Sequence, residues 1–100
     1  MVAFDDNVKH TNEQGGTQTK LPVRLDLVPA SALLTTAEVL AEGAEKYGEW
    51  NWENIAIPDH INHALTHLYR YLDGDISEKH LAHACCRVLF ALHLQEKEPF

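Results

Sequence analysis

From Pro29 onward the apolar residues recur every three or four positions, and two glycines, Gly48 and Gly74, cut that pattern into three runs. Such spacing belongs to helices that bury one face, and it leaves little of the chain for a sheet. The first run predicts a helix from about Ala30 to about Tyr47, with Pro29 near its start and Gly48 at its end. Its apolar stripe is Leu33, Ala37, Leu40, Ala44 and Tyr47. The second predicts a helix from about Pro58 to about Leu72, with Ile57, Ile61, Leu65, Leu68 and Leu72 facing inward beside Ala64. The third runs from about Ser77, a reasonable N-cap, to about Gln95, with Leu81, Ala84, Cys85, Val88, Leu89 and Leu92 as its stripe. The expected fold is all-α: a small helical bundle of about three main helices with an extended N-terminal segment. At 100 residues the core is modest, so completion by oligomerisation is expected.

Residues 1–19 are polar and aperiodic and read as a flexible segment, folded only on contact; residues 20–100 read as a single helical domain. "KLPVRLDLVPASAL" holds two prolines and reads as extended chain or turn, with a short strand-like stretch through Leu21, Val23, Leu25 and Leu27. The formal net charge of -7 argues against nucleic acid, whose phosphates need a basic patch, and suits a protein that holds cations. No signal peptide and no membrane-length apolar run is visible. Adjacent Cys85 and Cys86 cannot easily bridge and read as small buried hydrophobes of a reducing compartment. A cytoplasmic location follows, that of the host cell if a phage encodes the chain.

Three constellations bear chemistry. Glu38, Glu42, Glu45 and Glu49 fall on one stripe of the first helix, and Glu42 and Glu45 spell ExxE. Carboxylates one turn apart can share Mg²⁺ or Mn²⁺; the same stripe, nearly opposite the apolar one, also suits a solvated face. His60, His63 and His67 lie on the second helix, continued by Arg70, and His80 and His83 on the third, continued by Arg87. On the flanks of packed helices, imidazoles ligate metal, bind phosphate or move protons, or simply hydrogen-bond half-buried. Zinc-site cysteine spacing is missing. In "KYGEWNW", Gly48 ends the helix, Trp50 and Trp52 either cap the bundle or stack on a purine, and Asn51 reads a base edge or positions a turn.

In order along the chain, "KLPVRLDLVPASAL", "EGAEKYGEWNW", "THLYRYLDGD" and "HLAHACC" are similar to four blocks of one family. These are K-x-x-x-R-x-D-L-x-P, G-A-x-K-Y-G-x-x-N-W, R-H-L with an acidic linker, and H-L-A-H-A. Over about Lys20 to Leu94 the chain resembles the phage dATP/dGTP diphosphohydrolases, MazZ-type members of the MazG-like all-α nucleotide pyrophosphatases. The resemblance implies Mg²⁺-dependent (or Mn²⁺-dependent) cleavage of dGTP or dATP to the monophosphate and pyrophosphate, shaping the dNTP pool of an infected cell. It implies metal ligation by Glu38, Glu42, Glu45 and Asp75, and catalytic roles for Glu42, Glu45 and His67. Substrate binding falls to Lys20, Arg24, Lys46, Tyr47, Asn51, Trp52, His80 and His83; Asp26 matches too. The general MazG pattern places ExxD on the next helix, where this chain has histidines. A non-catalytic helical module, sensing a nucleotide or binding a protein, needs the apolar stripes without the acids. In the enzyme, a dimer or tetramer is expected, because an acid stripe facing away from its own helix's core needs a second chain, or the N-terminal segment, to cover it.

Overall fold

The computed structural model describes residues 7–97; the expected flexibility of residues 1–6 concerns positions outside these. The rest of the supposedly unstructured segment carries a ribbon. Strand β1 (Lys9–Thr11) pairs antiparallel with β2 (Thr17–Thr19), Lys9 opposite Thr19. Asn12 makes the turn: its Oδ1 accepts the N–H groups of Gln14 at 3.0 Å and Gly16 at 2.9 Å, while Gly15 takes a φ of 85°. Three-residue strands of polar, mostly exposed side chains carry no apolar alternation, so periodicity misses them. Between Leu21 and Leu27 no strand forms. Leu25–Leu27 is one 3₁₀ turn, and Arg24 forks onto Asp26 with bonds of 2.9 and 2.7 Å.

Helix α1 spans Ala30–Tyr47, α2 Ile57–Leu72 and α3 His80–Lys97. Helix α1 ends where Gly48 adopts a φ of 94°, and α2 ends at Gly74, whose φ is 84°. Ser77 is not the cap of α3. Asp75 accepts the Ser77 N–H at 2.8 Å, and this turn holds residues 75–79 out of the helix. Helix α3 is the middle element: it packs along α2, and α1 leans on its other side. Helices α2 and α3 run antiparallel, since His67 meets His80 at one end and His60 meets Arg87 at the other.

The buried faces differ from the expected ones. On α2 the residues turned inward are His60, Ala64 and half-buried His67, while Ile61, Leu65, Leu68 and Leu72 stay exposed. On α3 they are His80, Ala84, Cys86 and Ala91, and Leu81, Val88, Leu89 and Leu92 face out. On α1 they are Thr36 and Val39, whereas Leu33 is 50% and Tyr47 70% exposed. The alanines let the backbones of α2 and α3 approach; His67 and His80 bond to each other, and His60 bonds to Arg87 and the Trp52 carbonyl. The Thr36 hydroxyl donates to the Ala32 carbonyl at 2.8 Å, so it is buried at little cost. Of the paired cysteines, only Cys86 is buried, which pushes its thiol up to about 11; Cys85 is exposed. No helix among the described residues is long and apolar enough to cross a membrane.

Candidate active-site groove

Helix α1, the turn after it and α3 enclose a groove of about 790 Å³, the size of a small-molecule site. Its aromatic end is built by a backbone exception. Trp50 has a φ of 63°, a left-handed conformation uncommon for a bulky side chain, and it leads into a 3₁₀ turn, Asn51–Asn54. That turn brings the two indoles to 5.3 Å and lays Trp52 flat on Phe90, with ring centres 4.4 Å apart and planes 6° apart. His93 meets Trp52 edge-on at 5.3 Å, and its Nε2 is buried without a hydrogen-bond partner. Trp50 is 61% exposed and keeps an accessible face.

The groove also carries both signs of charge. Glu42 and Lys46 come from α1, His83 and Arg87 from α3, and Glu78 from the connection before α3. Arg87 also donates to His60 Nδ1 at 3.1 Å, and His60 Nε2 donates to the Trp52 carbonyl at 3.0 Å. Arginine only donates and a carbonyl only accepts, so the fully buried His60 ring holds its proton on Nε2. His60 is thus the strut that fixes both the aromatic turn and Arg87.

Of the residues singled out from sequence, the groove gathers Glu42, Lys46, Tyr47, Asn51, Trp52 and His83. Glu49, Trp50 and Arg87, also singled out, line it too, and the remaining candidates lie outside it. Glu45 is exposed on α1 outside it, and Glu38 pairs with Lys79 at 3.0 Å. Lys20 follows β2, Arg24 is held by Asp26 at 2.7 Å, and neither lines the groove. His67 and His80 lie in the α2–α3 seam, their Nδ1 atoms 2.9 Å apart, and His80 Nε2 donates to Asp75 at 3.1 Å. Hydrogen bonds from Ser77 and then His80 bring the Asp75 carboxyl down to about 2. Burial, then the neighbouring His83, lowers His67. Glu78, Phe90 and His93 were not singled out for the site: an acid in a first turn and two rings on a helix carry no signal until the turn at Trp50 meets them.

No curated protein and no solved structure is similar enough to the chain to count as a match. A family model described as "dATP/dGTP diphosphohydrolase, N-terminal" matches residues 12–100, covering both the ribbon's turn and all three helices. The chain belongs to the dATP/dGTP diphosphohydrolase family, of which it carries the N-terminal domain.

Proposed function

We propose that the chain hydrolyses dGTP or dATP to the monophosphate and pyrophosphate in the groove between α1 and α3. The observation that carries this reading is the lining of one cavity, which brings the stacking surfaces of Trp50 and Trp52 together with the cations Lys46 and Arg87 and with carboxylates. A purine lies against the free face of Trp50, with the Asn51 amide available to its edge. Lys46, Arg87 and His83 face the triphosphate, and Glu42 takes the proton of the attacking water. Mg²⁺ is commonly held by one or two carboxylates together with substrate phosphates, and Glu42 in the groove fits that demand. Such an ion supplies charge neutralisation at the phosphoryl group. Pyrophosphate release from each dNTP, with Mg²⁺ or Mn²⁺, tests the reading; none from dGTP or dATP overturns it. Glu42→Gln keeps shape and removes charge, so turnover falls by about two orders of magnitude or more while the fold survives.

The active form is a homo-oligomer. The chain exposes 8221 Å², against about 5,700 Å² for a compact monomer of its mass. The leucine rows of α2 and α3 supply apolar surface for a second copy, whose chemistry matches because it is the same row. Sedimentation that shows a monomer at micromolar concentration would refute this. Leu68→Glu, on the outer row of α2, is expected to dissociate the assembly.

A further inference from the structure

We propose that His67, His80 and Glu78 bind one transition-metal ion of the zinc class where α2 turns into α3, a site that borders the nucleotide groove through Glu78 and His83 and whose binding test does not depend on hydrolysis. Among the described residues these three offer ligand atoms that all lie within 4.8 Å of one another, and no other such group of His, Cys, Asp or Glu forms. The local chain explains the convergence. Helix α2 ends at Gly74, the Asp75 turn holds the next residues out of helix, and Glu78 is thereby set beside the first turn of α3. His67 comes from the seam face of α2, two turns beyond His60.

The pair of imidazoles is arranged as ligands are. Their Nδ1 atoms face each other at 2.9 Å. Tetrahedral bonds of about 2.1 Å set two ligand nitrogens about 3.4 Å apart, so these rings need to part by only about half an ångström to admit an ion. His80 is only 2% exposed, so its ring is held in place. Its Nε2 proton goes to Asp75 at 3.1 Å, and Asp75 is itself fixed by the Ser77 N–H at 2.8 Å. A carboxylate behind a histidine, orienting the ring and leaving the lone pair on the other nitrogen, is the usual outer support of a metal-bound imidazole. Glu78 is free to complete the set: Arg70 at 3.7 Å and His83 at 3.8 Å are too far to hold its carboxylate by hydrogen bonds. His83, stacked on His67 at 4.9 Å, walls the other side. Two nitrogens and one oxygen select Zn²⁺, Co²⁺ or Mn²⁺ over Mg²⁺ and Ca²⁺, which want oxygen alone.

The untagged full chain, freed of metal by chelator, is titrated with Zn²⁺ and Co²⁺ by calorimetry and visible absorption, and with Mg²⁺ as comparison. One ion per chain is expected, with the visible bands of nitrogen-ligated Co²⁺ that excess Mg²⁺ does not erase. His67→Asn and Glu78→Gln each weaken binding roughly tenfold or more, and Asp75→Asn by about ten- to a hundredfold. Glu78 is at the surface, so its variant keeps the test valid if a histidine variant unfolds. His10→Ala, on the N-terminal ribbon, leaves the titration unchanged. No bound Zn²⁺ or Co²⁺, or binding that neither His67→Asn nor Glu78→Gln weakens, overturns the site and leaves His67 and His80 as a hydrogen-bonded pair.

Discussion

His60 and His67 sit two turns apart on the same face of α2, and their surroundings have made them different kinds of residue. His60 is sealed: one nitrogen is committed to the Trp52 carbonyl at 3.0 Å and the other to Arg87 at 3.1 Å. His67 is half-buried and shares its Nδ1 with another imidazole at 2.9 Å, a contact in which one ring must give the proton and the other accept it. The first arrangement has a single protonation pattern that satisfies every atom, so it serves as scaffold. In the second, His80 gives its Nε2 proton to Asp75 and accepts at Nδ1, so its lone pair and that of half-buried His67 can be turned to an ion beside an adjacent carboxylate. A histidine row is therefore not one site: the partner supplied by α3 decides what each ring does.

The sharpest way to break this contrast is to remove each ring. His60→Leu leaves both the Trp52 carbonyl and Arg87 without their partner and is expected to lose about 3 kcal/mol, whereas His67→Leu loses about 1 kcal/mol. Urea unfolding in metal-free buffer measures both, and equal losses would erase the distinction. The next comparison concerns the arginines that end the two rows. Arg87→Met strips the buried His60 Nδ1 of its donor and costs about 1–2 kcal/mol. Arg70→Met removes only an exposed pairing to Glu78 and stays within about 0.5 kcal/mol.

The smallest effect is a pH dependence. Burial, first, and neighbouring cations lower His63 and His67 from the ordinary 6.5. The unfolded chain then holds more protons than the folded one just below that value, so stability rises with pH there. The contribution of the neutral rings is complete above about pH 6.5 and is lost as pH falls through their folded values. Asp75, at about 2 against an ordinary 3.8, adds a second loss as pH falls from 3.8 toward 2. Thermal unfolding of the metal-free chain should show a falling midpoint from pH 7 to pH 5, and His67→Asn should flatten that slope. An unchanged slope in the variant would place the titration elsewhere.

The sequence by itself determined the segments: Pro29, Gly48 and Gly74 act through local backbone geometry, and α1 begins and ends where they predict. It also determined the family, because the ordered blocks from Lys20 to Leu94 survive any uncertainty about packing. Only the tertiary structure decided which faces meet. Helical period says that a stripe exists, but not whether the leucine row or the histidine–alanine row beside it turns inward, since both have the same spacing. Ala64, Ala84 and Ala91 permit a close approach of α2 to α3, and that approach gives the histidines partners and leaves the leucines at the surface. The groove follows the same logic. Glu42, Lys46 and Asn51 were legible as polar residues near a helix end, but His93 and Phe90 became part of a site only when the left-handed Trp50 turned the chain back across α3. Long-range contacts of that kind depend on shape complementarity between distant segments, which no local pattern records.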